Sequence, residues 1–262
     1  MRRVLLTIGG LDPSGGAGIL ADLRAARAVG VETVSVLSAL TAQSSARLLD
    51  VRPVPAGWIR AQIRALEGEL SFAAVKTGLF ASRMSIIESA RWYRASGAGP
   101  LVVDPILATG DGKEVLGAAA RRALVEDLFP LAALVTPNRF EAETLAGFPI
   151  RGEGALEEAA RTIAALGPRA VLVKGGHFAG PPIDLFWDGR RARTLRGARR
   201  RPGRWHGLGC HLGAAIAARL AKGDSVAMAV ARARSILARG MARATVTPSG
   251  RLVPRWGTNA RS

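Results

Sequence analysis

The sequence has 262 residues, of which 48% are apolar, enough for a sizeable core and incompatible with global disorder. Thirty-seven basic residues against 20 acidic ones leave a net charge of +17, and only four of the basic side chains are lysines (Lys76, Lys113, Lys174 and Lys222). The single cysteine, Cys210, excludes an internal disulfide framework and any multi-cysteine zinc or iron–sulfur site, and it suits a reducing cytosol.

Arg2 and Arg3 precede a short apolar run, Val4 to Ile8, that lacks the length of a secretory core. No stretch approaches the roughly 20 uninterrupted apolar residues of a membrane span, so the expectation is a cytoplasmic protein with no membrane partner. Val4 to Ile8 reads as a buried strand that enters a helix, Ile19 to Ala26, through a glycine-rich turn. Thr33 to Leu37 is the next strand, and Trp58 to Leu70 sets Ile59, Ile63 and Leu66 on one helical face. Further strands are predicted at Phe72 to Val75, Leu101 to Val103, Leu134 to Thr136 and Ala170 to Val173. Helices are predicted between them at Met84 to Ser96, Ala119 to Leu128, Glu141 to Leu145 and Leu156 to Leu166. Continuous apolar strands bounded by helices point to a three-layer α/β/α sandwich with a mostly parallel central sheet. No Pro/Ser-rich linker divides the chain, so one domain over residues 1–262 is expected.

Ile183 to Arg190 followed by Arg191 to Leu195 reads as a hairpin about Asp188-Gly189. It runs into Arg199-Arg200-Arg201-Pro202-Gly203-Arg204, a charge run that reads as a solvated face. Only Trp187 and Trp205 lie nearby, with no stacking platform or helix–turn–helix pattern, which speaks against nucleic acid as a partner.

The most informative stretch is His206-Gly207-Leu208-Gly209-Cys210-His211, which runs straight into an alanine-rich helix. A glycine turn at a helix start presents backbone N–H groups and the positive dipole end, so residues 207 to 210 suit an anion such as a phosphoryl group. The same field would lower the pKa of Cys210 and make its thiolate available as a base. The other reading is an inert buried thiol. His206, Cys210 and His211 are close in sequence, but no further Cys or His pair completes a zinc site. Polar residues recur where the strands end: Thr41-Ala42-Gln43, Lys76-Thr77-Gly78, Asp104-Pro105, Thr136-Pro137-Asn138 and Lys174-Gly175-Gly176-His177. Open α/β sheets bind ligands at those carboxyl ends. Asp12-Pro13-Ser14-Gly15-Gly16-Ala17-Gly18 allows close ligand approach yet lacks the Gly-Lys-Ser/Thr of a Walker loop.

Taken together, and in this order along most of the chain, these segments resemble the hydroxymethylpyrimidine/phosphomethylpyrimidine kinases of thiamine biosynthesis, within the ribokinase superfamily. The resemblance implies an ATP- and Mg2+-dependent kinase acting on the hydroxymethyl group of a small pyrimidine, with homodimers common in the family. It implies that the pyrimidine sits against Gly10, Asp22 and Gln43. A glutamine amide offers one donor and one acceptor face, which suits a ring nitrogen beside an exocyclic amine. It implies that Lys174, Asn138, Glu141 and Leu208 lie near the nucleotide, and that Asp104 and Glu141 lie near magnesium. It implies as well that Cys210 occupies the base position, with Gly207 and Gly209 in the anion-binding turn. The alternatives are a pyridoxal kinase of the same fold and a binding or regulatory paralogue. The family's turn reads Asn-Thr-His-Gly-Thr-Gly-Cys-Thr, whereas this chain carries Arg204, Trp205, Leu208 and His211 at its first, second, fifth and eighth places. Asp111-Gly112 stands where the Asp-Pro loop of the family has Ser-Gly.

Overall fold

A computed structural model describes residues 2–108, 114–175, 182–197 and 203–256. Asp111, Gly112, Gly176, His177, Arg199, Arg200, Arg201 and Pro202, singled out above, lie outside the described residues.

The chain runs β1 (Arg2–Leu11), α1 (Gly18–Val29), β2 (Thr33–Gln43), β3 (Leu48–Pro53), α2 (Ala56–Glu67), β4 (Leu70–Thr77), α3 (Arg83–Ser96) and β5 (Leu101–Val103). It continues through α4 (Ala118–Ala123), β6 (Ala132–Val135), α5 (Arg139–Ala146), α6 (Glu153–Ala164), β7 (Val171–Val173), β8 (Ile183–Trp187) and β9 (Ala192–Arg196). It closes with α7 (Leu208–Ala221), α8 (Val226–Ala242), β10 (Thr245–Val246) and β11 (Leu252–Val253). The large sheet has the order β3-β2-β1-β4-β5-β6-β7-β8-β9. Strands β2 through β7 in that order are parallel, while β3, β8 and β9 pair antiparallel at the two edges.

Side-chain alternation along the strands explains the layers. Val4, Leu6 and Ile8 join Ile59, Ile63, Ile86 and Leu156 on the face covered by α2 to α6. Leu5, Val102, Leu134 and Leu172 point the other way, onto Ala25, Ala215, Ala218 and Ala229 of α1, α7 and α8. A parallel sheet buried on both faces is the expected sandwich. Small alanines on α1 and α7 let these helices lie close together, which brings their N-termini to one place above the sheet. Strand β1 sits between β2 and β4, so the chain order reverses there and opens a crevice at the carboxyl ends.

The strands are generally longer than the apolar runs suggested, because polar residues continue their pairing. Thr41 to Gln43 and Lys76-Thr77 are the last residues of β2 and β4 rather than loop. The hairpin strands are shorter: Trp187 pairs with Ala192, and Asp188 to Arg191 forms the turn, its Asp188 carboxylate accepting from the N–H groups of Arg190 and Arg191. The predicted helix at Ala119 to Leu128 changes to a wider turn from Leu124 to Leu128. Strand β3, helix α8 and the β10–β11 hairpin were not evident in the sequence pattern.

Candidate active site

Two helix starts meet in the crevice. Helix α1 follows the glycine loop and begins at Gly18, whose φ of 60° and whose approach to Gly10 O (2.2 Å from where a Cβ would sit) admit no side chain. Helix α7 is entered through Gly207, with φ of 75° and Gly16 O only 1.9 Å from a built Cβ. The N–H groups of the first turn of each helix have no partner within their own helix, so the pair makes a cradle of donors and positive dipole ends. Asp12 organises the glycine loop, its carboxylate accepting from Ser14 N at 2.9 Å, from Ala17 N at 2.8 Å and pairing with His206 Nε2 at 2.7 Å. Burial alone would raise the Asp12 pKa; the bonds from His206 and Ser14 outweigh it and hold the carboxyl below its ordinary value.

These groups line a cavity of about 190 Å3 together with Gly10, Thr41, Gln43, Leu79 and Cys210. Gly10 leaves room for Leu79, whose Cδ2 lies 2.9 Å from where a Cβ would stand. Cys210 is nearly buried, and the N–H of Gly18 is directed at its sulfur. Burial dominates there and pushes the thiol up to about 11, with the nearby Lys76 pulling the other way. This corrects the expectation of a lowered pKa: the desolvation of a thiolate outweighs the helix field.

Beneath the cradle lies a buried charged layer. Lys76 Nζ bonds both oxygens of Asp22, at 2.9 and 3.0 Å. Asp104 Oδ1 accepts from Lys174 Nζ at 2.8 Å and from Thr136 Oγ1 at 3.1 Å. Gly209 and Gly213 bring α7 onto this layer: a Cβ on Gly209 would lie 3.0 Å from Lys174 Nζ, and one on Gly213 3.6 Å from Lys76 Cε. Burial opposes charge on both lysines, but Asp22 for Lys76, and Asp104 with Glu141 for Lys174, hold their pKa values above the ordinary one. Asn138 and Glu141 form a reciprocal cap at the start of α5, with Asn138 Oδ1 accepting from Glu141 N at 2.9 Å and Asn138 N donating to Glu141 Oε2 at 2.7 Å.

The structure thus gathers Gly10, Gln43, Gly207 and Cys210 on the cavity wall and places Gly209 against Lys174 and Asp104. Asp22 does not line the cavity: it is fully buried, and both its oxygens face Lys76. A buried lysine needs that counter-charge, which is why the aspartate turns inward. Leu208, the first residue of α7, packs against the apolar layer shared with α8 rather than into the cavity. The zinc reading fails, since among the described residues no three His, Cys, Asp or Glu side chains gather for a metal, and His211 Nδ1 instead turns to Gly207 O at 2.9 Å. Asp12, Thr136 and Arg251 had no individual site role assigned from the sequence; Asp12 lies in the glycine-rich segment and Thr136 at a strand end, both singled out above, while Arg251 carried no signal.

Comparison with known proteins settles what this architecture belongs to. The phosphomethylpyrimidine kinase family profile matches residues 12–252. A hydroxymethylpyrimidine/phosphomethylpyrimidine kinase of Rhizobium meliloti is 41% identical over 239 residues, covering 90% of each chain. The chain belongs to the phosphomethylpyrimidine kinase family. A Streptomyces coelicolor kinase of the same description is 39% identical, over 88% of this chain and 86% of the relative. Among solved structures, a pyridoxal kinase of Staphylococcus aureus in complex with AMP-PCP superimposes with a TM-score of 0.90 at 29% identity, over 100% of this chain and 95% of that one. A phosphomethylpyrimidine kinase of Clostridium difficile gives 0.78 at 33% identity, over 90% and 97%. No helix among the described residues is long and apolar enough to cross a membrane.

For a kinase of this family the cation question turns on the donor set. Asp104 and Glu141 are both buried carboxylates that sense each other's charge. Asp104 Oδ2 lies on the side of Gly209, 3.5 Å from where that residue's Cβ would stand, so it faces the anion-binding turn. An oxygen-only pair of this kind fits Mg2+, which keeps several of its waters and takes the rest of its ligands from phosphate.

Proposed function

We propose that this chain transfers the γ-phosphoryl group of ATP to the hydroxymethyl oxygen of 4-amino-5-hydroxymethyl-2-methylpyrimidine, and to the monophosphate so formed, as a cytoplasmic step of thiamine biosynthesis. The observation that carries the reading is the convergence of two glycine-led helix N-termini on Cys210 at the end of a cavity walled by Gln43 and Gly10. Gln43 supplies the amide that pairs with the pyrimidine, while the N–H groups of residues 207 to 210 receive the phosphoryl oxygens. In the first transfer the hydroxymethyl oxygen bonds to the γ-phosphorus, the bond from that phosphorus to the β,γ-bridging oxygen breaks, and ADP leaves. The hydroxyl proton passes to Cys210. Lys174 lies next to the cradle, where its charge opposes the negative charge that spreads over the equatorial oxygens. Mg2+, held through its waters by Asp104 and Glu141, would neutralise the phosphates.

An ADP-release assay with hydroxymethylpyrimidine and ATP tests this. Saturable ADP production matched by phosphorylated pyrimidine is expected; ligand binding without transfer would replace the reading with that of a binding or regulatory paralogue. The superposition on the Staphylococcus aureus pyridoxal kinase over the whole chain supports a second reading, phosphorylation of pyridoxal. Turnover of the two substrates side by side decides between them, and a strong preference for pyridoxal overturns the first.

A further inference from the structure

Asp12 is an anomaly in a site built for phosphate: a carboxylate lining the same cavity as the anion cradle. Three observations explain why it is there. Each of its oxygens is engaged, by Ser14 N on one side and by Ala17 N and His206 Nε2 on the other, so its charge is met entirely from within the protein. His206 is itself anchored from behind, its backbone N–H donating to Leu252 O at 2.9 Å, so the imidazole cannot drift with the loop it holds. The two loops also fit without slack: a Cβ on Gly16 would lie 2.2 Å from His206 Cδ2, and one on Gly207 1.9 Å from Gly16 O.

We propose that Asp12 and His206 are a pair of positioning residues, a clamp that locks the glycine loop ahead of α1 to the anion turn ahead of α7 and so fixes the distance from Gly18 N and Cys210 to the bound phosphoryl group. The proposal rests on the kinase reading above for its catalytic consequence, and on the geometry alone for the clamp. Neither side chain reacts with substrate. The pair acts by holding two backbone segments in one register, because a cradle made of N–H groups works only while those groups converge on one point. His206 also screens the Asp12 charge from an incoming phosphate. The bond is buried, His206 and Asp12 side chains being 13% and 3% exposed, so bulk water does not compete well for it.

A double-mutant cycle tests the pair. His206→Ala and Asp12→Ala are each expected to lower kcat about 100-fold, the scale of a small misplacement of reacting groups. Their effect on the KM for ATP and for the pyrimidine is expected to stay within about threefold, and the double variant is expected to be no worse than either single one. His206→Gln, whose amide nitrogen reaches the place of Nε2, is expected to recover at least about tenfold of the loss. Losses that multiply in the double variant, or a glutamine variant as impaired as the alanine one, overturn the clamp. Amide hydrogen exchange gives a readout independent of turnover: His206→Ala accelerates exchange at residues 14–18, and Asp12→Ala accelerates it at residues 207–210. Unchanged exchange across the gap in both variants also overturns it. Should the wild-type chain fail to turn over hydroxymethylpyrimidine, the functional reading falls while the exchange measurement still decides the clamp. If the alanine variants do not fold, exchange in His206→Gln takes their place: protection of residues 14–18 retained supports the bond, and protection lost overturns it.

Discussion

Lys76, from the end of β4, holds both carboxylate oxygens of Asp22, from α1, at 2.9 and 3.0 Å directly beneath the cavity, and neither side chain is more than 1% exposed. The pair ties the central sheet to the helix that follows the glycine loop. With Asp104 and Lys174 beside it, two buried anions face two buried cations. Glu141 then stands as a fifth group, and burial raises its pKa to about 8, against the pull of Lys174.

Breaking one side of such a pair leaves an uncompensated buried charge. Lys76→Met is therefore expected to destabilise the fold by about 3–5 kcal/mol, measured by denaturant unfolding. Adding Asp22→Leu to that variant removes the orphaned carboxylate and is expected to recover part of the loss. A single variant within about 1 kcal/mol of wild type would show that the pair is not structurally required.

Gly207 meets two constraints that can be separated. Its φ of 75° disfavours any other residue, and Gly16 O stands where a Cβ would go. Gly223 has φ of 89° with nothing near its Cβ position, so it isolates the first constraint. Gly223→Ala is expected to cost roughly 1–2 kcal/mol of stability and no turnover. Gly207→Ala is expected to cost more than that and to abolish phosphoryl transfer, because the anion turn must move. Equal effects of the two substitutions on stability and rate would refute the close-contact argument.

The mostly parallel sheet was legible because strands buried on both faces read as continuous apolar runs, and Leu101 to Val103 has the same bounds in sequence pattern and structure, whereas the strand order came only from the fold. The recurrence of polar residues at strand ends located the crevice for the same reason, since those ends abandon the apolar pattern. What the pattern did not contain was direction. Asp22 sits on an amphipathic helix where either face is open to an acid, and only the buried Lys76 on a neighbouring strand decides that it points inward. Leu208 begins a helix, but the apolar layer it joins is assembled from the sheet, α1, α7 and α8, a surface that exists only once those elements pack. The pKa of Cys210 was misjudged because a helix start is visible in sequence whereas depth of burial is not.

The raised pKa of Cys210 gives the proposed base a pH signature. Desolvation puts the thiol at about 11, against the attraction of Lys76, so over neutral pH the thiolate fraction is small and grows tenfold per pH unit. If the thiolate accepts the hydroxymethyl proton, log kcat/KM is expected to rise with a slope near one between pH 7 and 9. Cys210→Ala is expected to lose both the slope and most of the rate while still binding ATP. Alkylation by iodoacetamide reads the same group without turnover, since no other cysteine is present, and its rate is expected to climb across that range. A flat wild-type profile, or near-native turnover by the alanine variant, removes Cys210 from the mechanism.

Gln43 ends β2 on the cavity wall, where its side-chain oxygen also accepts from Thr41 Oγ1 at 3.3 Å. Loss of its amide pair to the pyrimidine is worth about 1–3 kcal/mol, so Gln43→Ala is expected to raise the pyrimidine KM about 5- to 150-fold. The KM for ATP is expected to stay put, since the phosphates are received by backbone N–H groups of α7 that the Gln43 side chain does not supply. A variant that raises both constants equally would place Gln43 in the architecture of the cavity rather than in recognition.

His211, where the resembled family has threonine, gives the fold an acid weakness. It is fully buried on α7, its Nδ1 on Gly207 O at 2.9 Å and its ring 5.6 Å from that of Trp256. Its Nε2 has no hydrogen-bond partner among the described residues. Desolvation lowers its pKa to about 4 from 6.5, more than the Gly207 carbonyl raises it. The unfolded chain therefore takes up a proton near pH 6.5 that the folded one refuses until about pH 4. The stability contributed by neutral His211 is complete above pH 6.5 and is lost as pH falls through that window. The loss amounts to roughly 3 kcal/mol if this group acts alone. His211→Asn keeps an N–H for Gly207 O but does not titrate. Its unfolding free energy is expected to fall less than that of wild type by about that amount between pH 7 and 4. Parallel acid limbs for the two proteins would mean that the buried imidazole does not set the acid stability, and that carboxylates such as Asp12, held below their ordinary pKa, do.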